Sequence, residues 1–209
     1  ATALIGNTGN LGIPLGIALF GIESVPYTSI INIANTLFIY IFSVYFFARD
    51  QFSLKQAIIS IMKIPGIWFA LLALIINSKG ININEYVYTA LEMGAYTSMV
   101  IQLFIFGMYL SSVKVKVLPW YSSLHISFAK HILLPAIGIF VIIYFTNLNS
   151  YVDSILIMEL MVPLAVNNVN LAALYHCKPY DVAAAILISS IVFVTFLYFY
   201  IQIIEYFVK

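Results

Sequence analysis

Charge is what this chain has least of. Lysine and arginine number 9 and aspartate and glutamate 8 in 209 residues, 8% in all, where a soluble domain carries about 25%. That scarcity excludes a water-soluble globular domain. The basic residues are also too few and too scattered to bind nucleic acid. Cysteine is nearly absent: Cys177 stands alone, which rules out a disulfide within the chain and any CxxC metal site. No GxSxG, HExxH or GxGxxG pattern occurs, so the nucleophile elbow, the zinc-protease helix and the dinucleotide fingerprint are missing. Asp50, Asp153 and Asp181 sit at the ends of apolar runs and form no intramembrane pair. The chain reads as no enzyme, with no catalytic residue, metal site or cofactor.

What remains is hydrocarbon. Hydrophobic residues make up 63% of the chain, and the mean hydropathy is +1.04. Apolar stretches of about 20 residues can each cross a bilayer as a helix. Seven are readable, at 1–22, 26–48, 57–77, 86–110, 119–146, 151–175 and 180–207. They lack the alternating polarity of a membrane barrel, so the expected fold is all-α and integral to the membrane. The chain starts without methionine, inside an apolar run and with no charged leader, which predicts entry partway through a span rather than a signal peptide. Basic residues favour the cytoplasmic side. Arg49, Lys55, Lys63, Lys114, Lys116 and Lys178 share one set of loops, against Lys79 and Lys209 on the other. The C-terminus is therefore expected outside.

Two prolines, Pro14 and Pro163, lie inside membrane-grade runs in the company of small and amide residues. The first run reads Gly6-Asn7-Thr8-Gly9-Asn10-Leu11-Gly12-Ile13-Pro14, and Pro163 is followed by Asn167, Asn168 and Asn170. A proline removes one backbone donor and displaces the carbonyl four residues earlier. In lipid such a break survives only where protein or a wet cavity surrounds it. The two prolines are 149 residues apart, room for five spans, so the second broken helix should run opposite to the first. This is the arithmetic of an inverted-repeat transporter with two crossing broken helices. Residues 1–48 would be the end of a first repeat (broken helix 1–22 and span 26–48), 49–63 a cytoplasmic loop, and 57–207 a second five-span repeat with its broken helix at 151–175. Three spans are then expected to be missing at the N-terminus. Pro65 and Pro135 are expected to mark only kinks or span starts.

Gly6 through Leu15, close to a GNTGNLGxPL-like signature, and Pro163-Leu164-Ala165-Val166-Asn167-Asn168 through Ala172 and Tyr175 resemble the auxin efflux carrier family of the bile, arsenite and riboflavin transporter superfamily. The resemblance covers the chain as spans four to ten of a ten-span protein. It implies a scaffold and a transport core holding both crossovers, both termini outside, and a homodimer when full length. Residues Leu160, Met161 and Val162 are bulkier than the small residues usual before the second proline.

The candidate substrate-binding residues are Asn7, Asn10, Pro14, Pro163, Asn167, Asn168 and Asn170. Half-helices opening at Pro14 and Pro163 would turn positive N-termini toward an anion. An unpaired amide in hydrocarbon is costly, so each asparagine either contacts substrate or plugs backbone groups freed by the prolines. Gly9, Gly12 and Gly16 recur at helical spacing and are read as packing residues that let the crossovers approach. Glu159 lies well inside a span, where an acid costs about 2.5–3.5 kcal/mol to insert, and is the candidate for proton or ion coupling. The other reading is a neutral acid bonded to a broken backbone. Asn32, Asn35 and Thr36 share one side of their span and either bond the crossover or make plain interhelical contacts. Gln102 and Thr97 are read likewise. Lys130 is read as snorkelling to the headgroups, with anion steering as the alternative. Glu92, His125 and His176 are expected at the interface.

The function expected is alternating-access secondary transport of a small organic anion, a carboxylate or auxin-like molecule, coupled to protons. The alternatives are a sodium-coupled organic anion carrier and a seven-helix receptor or sensor. The expected setting is a lipid bilayer, a bacterial inner (plasma) membrane.

Overall fold

The computed structural model describes residues 2–43, 65–111 and 119–208, together with residues 45, 46, 53, 55, 58, 59, 62 and 63; of residues 102, 109, 110 and 208 it describes the backbone alone. Arg49, Asp50, Lys114, Lys116, Lys209, most of the 49–63 loop and the Gln102 side chain lie outside the described residues.

The described residues are mostly helical, with no named strand among them. After a short turn at Thr2–Leu4 come α1 (Thr8–Phe20), α2 (Ile22–Ser43), α3 (Pro65–Ser78), α4 (Glu85–Ser111), α5 (Trp120–Phe145), α6 (Ser150–Met161), α7 (Asn167–Leu174) and α8 (Pro179–Val208). Among the described residues, four stretches are long and apolar enough to cross a membrane: α2, Glu85–Met108 of α4, α5 and Pro179–Phe207 of α8. The protein is thus an all-α membrane protein.

Two short segments interrupt the helices, at residues 5–7 ahead of α1 and at 162–166 between α6 and α7. They cross as a single antiparallel bridge between Gly6 and Leu164. The Asn7 amide donates to the Pro163 carbonyl at 2.8 Å, and the Ala165 amide to the Ile5 carbonyl at 3.0 Å. The two chains run in opposite directions at this point, as an antiparallel bridge requires.

Pro163 lies within its break, but Pro14 does not. The expected opening of a half-helix at Pro14 is corrected: the break ends at Asn7, and the helix that follows already starts at Thr8. Pro14 instead follows a π turn at Thr8–Gly12, and Pro135 likewise follows a π turn at Ala129–Leu133 in a helix that continues. The reason is local. Each ring crowds the carbonyl four residues back (Asn10 and His131), and a widened turn absorbs the clash without ending the helix. Pro163 has no such turn before it; Val162 takes ψ 147° and the chain becomes extended.

Gly21, at φ 81°, lets α1 turn directly into α2, a left-handed conformation that glycine adopts at no steric cost. Asn149 caps α6 by accepting from the Val152 amide at 2.9 Å. The core forms around the crossing, with Ile5, Leu164, Ala172 and Ala185 fully buried, and along α6, with Ile155, Ile157 and Met158 fully buried. α3 buries none of its described side chains, while α4 reaches the crossover core through Phe106.

Candidate functional site

A proline-broken helix leaves backbone groups without partners, and in an apolar interior each must be matched. At the second break the Leu160 carbonyl receives the Lys130 ammonium at 3.0 Å, and the Leu164 amide donates to Ser189 Oγ at 3.1 Å. At the first, Asn35 Nδ2 donates to the Gly6 carbonyl at 3.0 Å. Asn168 Nδ2 reaches both, donating to the Ile5 carbonyl at 3.3 Å and the Ala165 carbonyl at 3.0 Å. The crossing is therefore held by side chains from α2, α5, α7 and α8.

In front of the crossing lies a cavity of about 260 Å³ lined by Gly6, Asn7, Gly9, Asn10, Ile13, Asn32, Asn35, Thr36, Ile39, Ala165, Val166 and Asn167. Its walls are mostly amide and backbone, and none of these residues is charged. The first turns of α1 and α7 rim it through Gly9, Asn10 and Asn167, bringing two positive helix ends to one space. Asn7 is 3% exposed and its Nδ2 has no hydrogen-bond partner. A buried amide in that state costs roughly 1–3 kcal/mol, a donor poised for an acceptor that enters the cavity.

The candidate residues divide at this point. Asn7, Asn10 and Asn167 line the cavity together. Asn168 is fully buried and clamps the crossing backbone; Asn170 is exposed on α7, and neither it nor Pro14 nor Pro163 lines the cavity. Asn32, Asn35 and Thr36, read as either crossover-bonding or interhelical, also line it. Asn35 Nδ2 donates to Thr8 Oγ1 at 2.9 Å, which donates onward to Asn32 Oδ1 at 3.0 Å.

Of Gly9, Gly12 and Gly16, Gly12 meets the second broken helix, as expected of a packing residue between the crossovers, while Gly9 and Gly16 face chiefly α2. A Cβ on Gly9 would press on Asn32, one on Gly16 on Thr28 and Ser24, and one on Gly12 would overlap the Glu159 carboxylate. α2 and α6 approach α1 so closely because these side chains are missing. The crossing itself is made by Gly6, where a Cβ would stand 3.0 Å from Lys130 Nζ.

Behind the crossing is a second, larger cavity of about 640 Å³, mostly apolar, into which Gly6, Asn35, Lys130 and Glu159 also project. Glu159 is 3% exposed and neither carboxylate oxygen has a hydrogen-bond partner. An ionised carboxylate buried without a partner is costly, so this side chain must carry a proton or be balanced by a nearby cation. Lys130, 2% exposed, supplies the only cationic side chain among the described residues lining that cavity. The snorkelling reading of Lys130 is corrected: the ammonium is held inward by the Leu160 carbonyl instead of reaching a headgroup. Lys130 and His131 lie buried in the π turn that precedes Pro135, and the acceptor that holds Lys130 is 30 residues away, beyond any local signal.

His131 is also buried, with Nε2 2.9 Å from Ser189 Oγ and 3.0 Å from the Ser189 carbonyl, and Nδ1 3.1 Å from Tyr200 Oη. A neutral ring satisfies this set, with Nε2–H donating to Ser189 and Tyr200 donating to Nδ1. His131 thereby supports the same serine that accepts the Leu164 amide.

A family model described as membrane transport protein matches residues 1–201. No curated protein and no solved structure was found to match the chain.

Proposed function

We propose a transport mechanism from one premise: the chain belongs to the membrane transport protein family, the auxin efflux carrier family that its two motifs resemble. In this reading it is a secondary transporter of small hydrophilic organic anions. The carrying observation is the antiparallel crossing of Gly6 and Leu164 beside an uncharged, amide-lined cavity into which Asn7 turns an unpartnered donor. Helix N-termini and amides favour a carboxylate, and amide carbonyls accept from hydroxyls. So polar a lining favours short mono- or dicarboxylates, hydroxylated ones included, over an aromatic auxin-like acid, which needs apolar walls.

The seven spans then act as the fourth to tenth of a ten-span inverted repeat, split at the 49–63 loop, with the C-terminus outside and dimerisation through the scaffold. Rocking of the crossover core against that scaffold would alternate access to the cavity. Glu159 is the coupling residue and carries a proton. Sodium coupling is less favoured, because the Leu160 carbonyl, one of the oxygens a sodium cage at this break would use, already holds the Lys130 ammonium.

The test is a binding screen of two- to six-carbon carboxylates against the purified full-length protein, by calorimetry. Small hydrophilic carboxylates should bind, and Asn10→Ala should weaken them about tenfold, the loss of one hydrogen bond to a charged group. Absence of binding by every member, or binding unaffected by Asn7→Ala and Asn10→Ala together, would reject this site.

A further inference from the structure

Gly6 belongs to both cavities. On one side it faces the uncharged amide site. On the other, the Lys130 ammonium lies 3.0 Å from where a Cβ of Gly6 would be. The Lys130 amine thus lies against Gly6, a residue shared with a site that has no charged residue among its described lining. The same ammonium is bonded to the carbonyl of Leu160, the residue next to Glu159, and Glu159 opens into the same rear cavity with both oxygens unpartnered.

We infer that Lys130 and Glu159 form a proton-controlled charge switch for the amide site. The inference rests on the anion-transport reading above. With Glu159 carrying a proton, Lys130 is uncompensated and its field reaches across Gly6 to hold an anion. With the proton gone, the Glu159 carboxylate matches Lys130 and the anion loses that attraction. Each cycle takes one proton from water onto a Glu159 oxygen as one anion enters in front, so loading leaves the interior charge unchanged for a monocarboxylate and one unit more negative for a dicarboxylate. Binding of anion and proton is then mutually reinforcing, as linkage requires.

One other ionisable group, His131, neighbours Lys130 in the chain and feels its charge. Lys130 and Glu159 are the titratable residues among those lining the rear cavity, to which α1, α2, α5 and α6 contribute. On the α8 side, His131 and Tyr200 are bonded to each other, and His131 to Ser189. Glu23, Tyr27, Tyr151 and Asp153 gather near the start of α6, with the rings of Tyr27 and Tyr151 5.7 Å apart, and Glu23 acts on Tyr151 there. Asp181 and Glu205 stand near the two ends of α8.

Two measurements on the full-length protein test the switch. The first uses acetate, malonate, succinate and malate in unbuffered solution. Wild type should take up about one proton per anion bound, and Glu159→Gln should bind with none. Lys130→Gln, which keeps a donor for the Leu160 carbonyl, should lose binding by about 5- to 150-fold, the usual span of such couplings, while Lys130→Arg should largely restore it. The second needs no ligand: a double-mutant cycle of Lys130→Gln and Glu159→Gln on melting temperature at pH 8, where the double variant should lose less than the two singles together. Additive losses, or anion binding without proton uptake in wild type, would overturn the switch and leave the amide site standing. If none of the four anions binds, the transport reading fails and the switch falls with it.

Discussion

Gly12→Ala measures how tightly α1 is fitted against Glu159. Gly12 sits at φ −60° and ψ −47°, a backbone any residue adopts, so the substitution introduces no strain of its own. What it introduces is a methyl group that overlaps the Glu159 carboxylate. Overpacking of this kind costs about 1–3 kcal/mol, while alanine in place of a helical glycine recovers about 0.5–1 kcal/mol. Because the obstacle is the far end of a flexible side chain, the net loss lies between zero and about 2.5 kcal/mol, or a fall in melting temperature of up to about 10 °C for a chain of this size. Repeating the change in a Glu159→Ala background removes the obstacle, so only the helical gain remains and the melting temperature should rise by about 1–4 °C. The assay is thermal unfolding of detergent-purified protein for wild type, both singles and the double. Equal shifts from Gly12→Ala in the two backgrounds would refute the contact between Gly12 and Glu159.

Other perturbations separate support of the crossing from binding of cargo. Ser189→Ala leaves the buried Leu164 amide without an acceptor and should cost about 1–3 kcal/mol, with faster hydrogen exchange at that amide; unchanged exchange would argue against the bond. Asn149→Ala removes the cap of α6 and should cost about 0.5–2 kcal/mol in unfolding experiments, while carboxylate affinity measured by calorimetry stays at the wild-type value. Asn168→Leu should destabilise the fold by a similar margin, because it strips a donor from two carbonyls of the crossing. Activity lost in step with stability, and not beyond it, is the expected signature of that clamp.

Sequence reading went furthest where the signal is carried by neighbouring residues. Pro163 and the amides after it marked a break that exists, because the missing N–H and the clash with the preceding turn are properties of that one segment. Pro14 has the same chemistry and a different outcome. The π turn at Thr8–Gly12 absorbs it, and the chain opens seven residues earlier, where Gly6 meets Leu164. The clash is local at both prolines, but whether a π turn absorbs it or the chain becomes extended is not written in the residues around it. Lys130 shows the same limit. Its distance from the span centre is compatible with reaching headgroups, and only the Leu160 carbonyl, 30 residues further on, turns it inward.

Composition, 63% hydrophobic and 8% charged residues, determined that this chain lives in a bilayer, and the lack of alternating polarity along its apolar runs selected helices over a barrel. The motif around Gly6 to Pro14 and that after Pro163 were likewise readable as the chemically special segments. Tertiary structure decided which groups those segments meet. It set Asn7, Asn10 and Asn167 around one space, sent Asn168 to the backbone, and drew Lys130 and Glu159 to the far side of Gly6. Hydropathy and helix breaking depend on a few consecutive residues, whereas matching each freed donor and acceptor depends on which distant helix passes within 3 Å of it.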